Sequence, residues 1–511
     1  MKKRIFIKNA IVLTITAILL RSAGMGLRIY LSNTVGAEGM GLYQLIFSIY
    51  MLAATFATSG LSTAVTRLCA DELVCGTDKS VKRVVRRAIE LTVLIGAVIT
   101  AVCFVFAKPI SIHLIHDSRA IPAVKILSFS LIFMGISSCL KGYFMARRKA
   151  VMPSTAQIFE QIIRVLAVIL LIGKFGKNGV ESACFAILFA DTIAETLSCL
   201  YMYICYIIDK RKIDTSKSLN IASKGIFKKL IKISVPIVSG RYLSTILRTI
   251  ENLSVPNCLQ KFSGSKETAL SQYGELKGMA LPILFFPSSF LMSMSSLLIP
   301  EISQANALDR KNEIRLSVSN AVEVTLQMSI LISALFSLLS NELGVIIYGS
   351  ESVGFLMKVL SPLVPVMYLE AVCDGMLKGL NQQNHSLIYS VIDSVMRILF
   401  ILLLVPKYGM TGFLIMMIVS NLFTSLMNLS RLIKVADIRF NYINWLIKPT
   451  AFAVLGCALS NGVLNLFTLS MIPRTLISIV IVSLFFLLMI YLTNASQMIG
   501  FVIKKLQKNR R

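Results

Sequence analysis

The sequence predicts an all-α polytopic membrane protein of about fourteen transmembrane helices, arranged as two six-helix lobes in parallel repeat plus two C-terminal helices. Three observations predict it. Of 511 residues, 56% are hydrophobic and only 15% are charged, and the mean hydropathy is +0.76. Nearly uncharged windows of about 18 or more residues, long enough for a helix to cross a bilayer, recur along the whole chain. Finally, one stretch occurs twice.

That stretch runs from Glu160 to Gly179 and again from Asp393 to Gly412. The match holds without a gap through Arg164/Arg397, Lys174/Lys407, Phe175/Tyr408, Gly176/Gly409 and Gly179/Gly412. Each copy is an acid, an arginine four residues later, an apolar run and a Gly-bounded turn. Acid and arginine at that spacing share one helix face, so Glu160/Arg164 and Asp393/Arg397 read as structural ion pairs. Apolar helices resemble one another through composition alone; matched charges and glycines do not. The chain is therefore two copies of one unit.

In order, the first half carries spans at about 9–31, 42–65, 88–107, 122–145, 154–173 and 180–208. The second half carries them at about 233–256, 277–300, 319–340, 355–379, 386–405 and 411–433. Two more follow at about 445–468 and 472–493. The lobes are thus 1–222 and 223–440, with 441–511 holding the last two spans and a basic tail. The Lys- and Ser-rich segment from Asp209 to Lys232 reads as the linker. The longest outward loop is expected around Gln260 to Gln272.

The net charge of +27 would suggest nucleic acid in a soluble protein. Here the clusters Lys79 to Arg87, Arg147-Arg148-Lys149, Lys210-Arg211-Lys212 and Lys504 to Arg511 flank apolar spans without interleaved aromatics. They read as the positive-inside bias, with no nucleic-acid partner. Placing both termini in the cytoplasm puts roughly 35 Lys and Arg inside and roughly 10 outside. An even number of spans per copy gives both copies the same orientation, a parallel repeat of the kind built into transporters. The basic N-terminus imitates a signal peptide, but its apolar run continues to about Leu31 and reads as a retained first helix. The ten cysteines lie mainly in apolar segments without C-x-x-C spacing, and His113, His116 and His385 form no metal-ligand pattern. No disulfide framework, metal site or cofactor is expected.

The residues that carry chemistry are intramembrane charges. Arg21 and Arg28 are seven apart on the first span, as are Arg241 and Arg248 on the seventh, so each pair lies on one helix face. Arg21 is about 18 Å into its span, where an arginine costs roughly 2.5–3.5 kcal/mol unless it meets water, an anion or a carboxylate. Arg28 and Arg248 lie nearer the outer ends and either snorkel or bind. Four guanidiniums facing one cavity suit phosphate oxygens, which they bind bidentately. Arg67, at the inner end of the second span, either guides an anionic headgroup or anchors the helix. Asp191 and Glu195 share a face of the sixth span with no basic residue nearby in that span. They are either buried and protonated or a coupling site for H⁺ or Na⁺. In the stripe Glu370, Asp374 and Lys378, the lysine offers neutralisation. Gly24 and Gly26, Pro236, Pro282 and Pro287, and Pro362 and Pro365 mark expected breaks where a moving helix bends.

The chain resembles the multidrug/oligosaccharidyl-lipid/polysaccharide (MOP) exporter superfamily, and within it the stage V sporulation protein B group of oligosaccharide flippases from endospore-forming bacteria. The resemblance rests on the ordered motifs Val35 to Gln44, Thr58 to Leu68, Gly142 to Arg164, Tyr273 to Pro282, Leu298 to Ser303 and Tyr368 to Leu380. It implies a flippase for an undecaprenyl-diphosphate-linked sugar, the peptidoglycan precursor lipid II, working in the plasma membrane for spore cortex or cell-wall synthesis alongside cell-wall synthesis proteins. The related MurJ-type lipid II flippases use arginines in a central cavity. Arg21 falls where the first of these would lie, whereas Arg28 is displaced by one residue.

A transporter that is not an enzyme is the reading that follows, with H⁺, Na⁺ or the membrane potential as energy source. Its rival within the superfamily is a cation-coupled multidrug exporter, which would prefer carboxylates to arginines in its cavity. A membrane-embedded polymerase or ligase would need acids or histidines on an outward loop, and Gln260 to Gln272 holds only Glu267.

Overall fold

The computed structural model describes residues 2–58, 60–75, 78–175, 179–211 and 226–508. Among them there is no strand, and each of the fourteen expected spans is mostly helix over its described residues. In chain order the main helices are α1 (Lys2–Thr58), α2 (Leu61–Cys75), α3 (Asp78–Val105), α4 (Ile121–Ala146), α5 (Val151–Phe175), α6 (Val180–Arg211), α7 (Ile226–Ser263) and α8 (Lys266–Tyr273). They continue as α9 (Ser288–Ala307), α10 (Lys311–Tyr348), α11 (Glu351–Leu360), α12 (Val364–Gly379), α13 (Gln383–Ala436), α14 (Lys448–Leu464) and α15 (Met471–Lys508).

Nine helical stretches among the described residues are long and apolar enough to cross a membrane, or ten when the bent pair Lys266–Phe285 and Ser288–Ala307 counts as one. Two of these, Val12–Leu73 and Gln383–Ala436, each hold two expected spans. The other two expected spans are α5 and α7, the helices that carry Arg164 and the Arg241/Arg248 stripe.

The breaks differ in part from those expected. Gly24 and Gly26 are helical, and α1 breaks instead at Gly36, with φ 75° and ψ 179°. A second break of this kind lies at Gly409 in α13, at φ 57° and ψ −133°. Both lie in backbone regions a side chain rarely adopts, so glycine is required. Gly176, the repeat partner of Gly409, lies outside the described residues, as does 212–225 of the expected linker. The prolines behave as expected at two sites. A 60° bend follows Phe285 at Pro287, and a 3₁₀ turn at Ser361–Leu363 interrupts the tenth span at Pro362.

The expected loop Gln260–Gln272 is mostly helix. α7 runs on to Ser263 and α8 starts at Lys266, leaving only Gly264 and Ser265 between them. Gly264 takes φ +70°, and the Ser265 hydroxyl accepts the Thr268 N–H at 3.4 Å as an N-cap. Polar composition resembled a loop; the cap turned it into a helix start. The π-helical segment Gly274–Ala280 that follows was not expected.

By packing, the chain forms two compact units. One comprises Met1–Gly278 with Ser390–Met416, and the other Met279–Tyr389 with Met417–Arg511. This is a division by contact, whereas the expected lobes 1–222 and 223–440 are drawn from the sequence repeat. The first unit has a core of Leu61, Val65, Val84, Leu140, Tyr143 and Phe144 from α2, α3 and α4. The second has a smaller one of Ile330, Leu331, Ala453, Val482 and Phe486 from α10, α14 and α15. Much of the remaining apolar surface is exposed, including Leu170, Leu403, Leu466 and Leu484. In an aqueous protein so much exposed aliphatic surface would be a liability; a bilayer is the solvent that accommodates it.

Candidate functional site

The charges that sequence places inside apolar helices collect in the first unit, around two arginines related by the repeat. Arg164 of α5 bonds Glu160 on its own helix, Nη2 to Oε1 at 2.8 Å. Its Nε also lies 2.8 Å from Asp191 Oδ1 on α6, and its Nη1 donates to Gln161 Oε1 at 3.0 Å. Arg397 of α13 bonds Asp393 on its own helix at 2.9 Å and reaches Glu251 of α7 at 3.6 Å. In both copies, therefore, the arginine does more than neutralise its own helix: it ties that helix to an acid on a neighbour.

The surroundings of the two arginines differ. Glu251 is only 4% exposed and has a second cation, Lys277 Nζ, at 3.5 Å. Lys277 sits on the π-helical segment, whose wider turn shifts the register of the residues it carries relative to an α-helix. Arg248, one turn before Glu251, adds positive charge to the same neighbourhood. Among the described residues no such lysine pairs with the acids around Arg164. Glu195 instead adds a third acid, one turn beyond Asp191, and it makes no ion pair with Arg164.

A cavity of about 240 Å³ opens beside Arg164. Arg28, Tyr43, Tyr50, Gln161, Asp191 and Glu195 line it with Arg164. Tyr50 donates nothing to the acids; its hydroxyl accepts from Ser130 at 2.9 Å. Arg28 is thus brought together with the acid pair of α6, and the expectation that Asp191 and Glu195 lack a basic neighbour holds only within their own helix. The neighbour comes from α5.

Arg21, Arg67, Arg241 and Arg248 do not line this cavity and are exposed. On α7 the contacts with the second half of α1 run through other residues. Tyr242 stacks on Phe56 with ring centroids 4.5 Å apart, and Asn252 Nδ2 donates to Ser48 Oγ at 3.0 Å. Between α1, α3 and α7 lies a second cavity of about 420 Å³, walled by Phe56, Ile99, Val102, Ile246, Ile250 and Leu253. Elsewhere, Lys378 Nζ donates to Asp374 at 2.5 Å, and the Arg147 and Lys149 cluster is tied to Asp209.

Sequence reasoning missed Glu251 and Lys277, although an ionisable residue within an apolar span is a signal in itself. It also missed a cluster where helix breaks meet. The Asp117 carboxylate accepts from Arg119 Nη2 at 2.9 Å and from Lys266 Nζ at 3.1 Å, while Arg119 Nη1 reaches Glu38 at 2.7 Å. Burial of Asp117 acts to raise its pKa, but the hydrogen bonds from Arg119 and Lys266 outweigh it and hold the carboxyl below its ordinary value. Among the described residues no group of His, Cys, Asp and Glu is arranged to hold a metal ion.

A helical bundle with charges buried between apolar helices, a polar cavity among them and glycine and proline breaks in its spans is the architecture of a multi-pass membrane protein. The chain belongs to the polysaccharide biosynthesis protein family, whose model matches residues 6–306. It is 24% identical over 442 residues to stage V sporulation protein B of Bacillus subtilis (strain 168), covering 86% of this chain and 85% of that one. Among solved structures, the lipid II flippase MurJ in an inward closed conformation aligns with TM-score 0.73 at 16% identity, over 96% of this chain and 100% of that one. A multidrug resistance MATE family transporter of the MOP superfamily, inward-facing, aligns with TM-score 0.65 at 14% identity, over 83% of this chain and 95% of that one. The fold is therefore that of these transporter structures, and this chain is a bacterial multi-pass membrane protein.

Proposed function

We propose that this protein is a flippase that moves an undecaprenyl-diphosphate-linked oligosaccharide, lipid II, from the inner to the outer leaflet for spore cortex or cell-wall synthesis. The observation that carries the reading is the arginine set on α1 and α7. Arg28 opens into a polar cavity within the membrane, and Arg21, Arg241 and Arg248 are exposed on the same two helices. Guanidiniums in a low-dielectric setting select phosphate oxygens by paired hydrogen bonds. The cavity of about 240 Å³ takes a diphosphate rather than a whole saccharide headgroup. The apolar cavity of about 420 Å³ beside α7 suits the prenyl tail. The lobes 1–222 and 223–440 would rock about the breaks at Gly36, Pro287 and Gly409, with both termini on the cytoplasmic side and Arg67 at the inner entrance.

A second reading, a cation-coupled multidrug exporter, is favoured by one observation: Glu195 faces the cavity. Against it, Asp191 is already neutralised by Arg164 and Arg28 shares the same walls, so the cavity is not the acidic pocket an organic cation requires.

The test is flipping in proteoliposomes, with lipid II in the inner leaflet and its outer exposure followed by a membrane-impermeant reagent. Wild type flips, while Arg21→Ala, Arg28→Ala and Arg241→Ala each lose most of the rate. Flipping that survives all three substitutions discards the arginine site. No flipping by wild type, together with transport of a fluorescent organic cation, replaces the flippase by the exporter.

A further inference from the structure

Beside the Asp117 cluster, at the end of α7, lies a third cavity, of about 560 Å³ against about 240 Å³ beside Arg164. Ser254, Asn257, Gln260 and Lys261 of α7 line it together with His116, and Leu402 of α13 adds an apolar patch. Ser254, Asn257 and Lys261 are spaced three and four residues apart, so they form a polar stripe on one face of α7. Asn257, Gln260 and Lys261 lie beyond the expected span of about 233–256, where a helix leaves the hydrocarbon for headgroups and water. The helix α4 gives the cavity its place in the bundle. Its 26 residues separate His116 from the basic run Arg147-Arg148-Lys149 by about 39 Å. The cavity therefore opens at the far end of the bundle from that run, the end that the charge bias assigns to the outside.

His116 is fixed in position by contacts on several sides. Its Nδ1 lies 3.2 Å from Asn257 Nδ2 and 3.3 Å from the Leu114 carbonyl oxygen. Its own carbonyl accepts from Lys266 Nζ at 2.5 Å, and the same ammonium holds the next residue, Asp117, at 3.1 Å. The backbone of His116 is left-handed, at φ 59°, which is uncommon for a residue other than glycine. With Nδ1 engaged inside the protein, Nε2 is the ring atom left for a ligand. The two lysines of this end differ in the same way. Lys266 is taken up by Asp117 and His116, whereas Lys261 is exposed and forms no ion pair among the described residues.

An imidazole, a hydroxyl and two carboxamides offer donors and acceptors together. That mixture matches the hydroxyls of a sugar, each of which both donates and accepts; a simple anion would call for donors alone. Lys261 adds one cation, suited to a carboxylate carried by the sugar. The volume lies within the range of about 300–1,000 Å³ usual for small-molecule sites.

We propose that this cavity docks a hydroxyl-rich saccharide bearing a carboxylate, with Asn257 and His116 hydrogen-bonding its hydroxyls and Lys261 pairing with the acid. The source of that sugar rests on the flippase reading: it is the headgroup of the lipid-linked substrate, received at the end of the bundle where it emerges. The smaller cavity beside Arg164 keeps its diphosphate role, so the two cavities hold different parts of one substrate.

The experiment uses the full-length protein in detergent and two soluble disaccharides, followed by saturation-transfer NMR. N-acetylglucosaminyl-N-acetylmuramic acid carries a carboxylate; diacetylchitobiose does not. Wild type binds both saturably, the acidic one more tightly. Asn257→Ala weakens both by about fivefold or more, and Lys261→Gln weakens the acidic one about tenfold. The same Lys261→Gln protein binds the neutral sugar within about twofold of wild type. No saturable binding by wild type, or binding that neither substitution weakens, overturns the proposal. Equal weakening of both sugars by Lys261→Gln overturns the carboxylate contact. Thermal unfolding checks both variants, and should Asn257→Ala not fold, the exposed Lys261 still carries the test. Neither sugar has a diphosphate or a lipid, and no leaflet is crossed. Failure of binding therefore leaves the flippase reading standing, while a wild type that binds the sugars without flipping lipid II keeps the site and loses the flippase.

Discussion

Arg164 Nε lies 2.8 Å from Asp191 Oδ1 and so fastens α5 to α6 across the first unit. The same guanidinium holds Glu160 at 2.8 Å on its own helix. Removing it strands two acids at once, and breaking a buried pair by deleting one partner costs about 3–5 kcal/mol. Arg164→Gln is therefore expected to unfold at markedly lower temperature or denaturant in detergent. Arg164→Gln with Asp191→Asn should recover part of the loss, because one stranded charge is gone. An Arg164→Gln protein as stable as wild type would show that the ion pairs contribute nothing.

Glu251 makes the same argument in the second copy with a different cation. It is 4% exposed and is held by Lys277 at 3.5 Å and Arg397 at 3.6 Å. Lys277→Met leaves a buried carboxylate with one long-range partner, and the expected cost is about 3 kcal/mol. The comparison is Arg310→Ala, which loses only the exposed pair with Glu313 and should change stability by about 0.5 kcal/mol or less. Equal effects of the two substitutions in unfolding measurements would contradict the assignment of Glu251 as a buried charge.

These residues also mark how far the sequence could be read. The spans and their number follow from hydropathy, because a bilayer demands about twenty apolar residues whatever the tertiary packing. The doubled Glu160/Arg164 pattern located both arginines, since matched charges survive where apolar residues drift. What sequence did not supply is the partner from another helix. The spacing of Asp191 and Glu195 says they share a face, not that Arg164 of α5 stands opposite one and misses the other. Lys277 was hidden for a different reason: an α-helical register does not place it, because the segment that carries it is a π-helix. The loop expected at Gln260 to Gln272 failed on local chemistry, where a serine cap outweighed polar composition.

At the junction of the helix breaks, Asp117 gives a pH-dependent contribution with a definite sign. Its carboxyl is held below its ordinary value by Arg119 and Lys266. A depressed acid stabilises the fold above its unfolded value, about 3.9, and that contribution is lost as pH falls through the folded value. Stability should therefore be flat from neutral pH down to about 4 as far as this group is concerned, and decline below it. Asp117→Asn removes the acid limb of that decline. At neutral pH it costs about 1.5–3 kcal/mol, the worth of hydrogen bonds to a charged group. Melting temperature against pH in wild type and Asp117→Asn reads both effects, and parallel curves would discard Asp117 as the titrating group.

The glycines of two motifs that carry the family resemblance are explained by contact, and contact predicts which of them tolerate a methyl group. Gly41, in the segment Val35 to Gln44, lies against the backbone of α8: a Cβ there would stand 2.1 Å from the Leu270 carbonyl oxygen. Gly274, in the segment Tyr273 to Pro282, faces back, and its Cβ would stand 1.9 Å from the Ala37 carbonyl oxygen. Both neighbours are backbone, so neither can swing aside, and the two helices would have to separate. Gly24, also in α1, has nothing within 4 Å of the same position. Gly41→Ala and Gly274→Ala should each destabilise by at least about 2 kcal/mol, in the upper range for overpacking. Gly24→Ala should instead gain up to about 1 kcal/mol from helix propensity. Unfolding curves for the three variants separate steric fit from helix propensity. A stable Gly41→Ala or Gly274→Ala protein would mean that α1 and α8 do not approach this closely in the folded transporter.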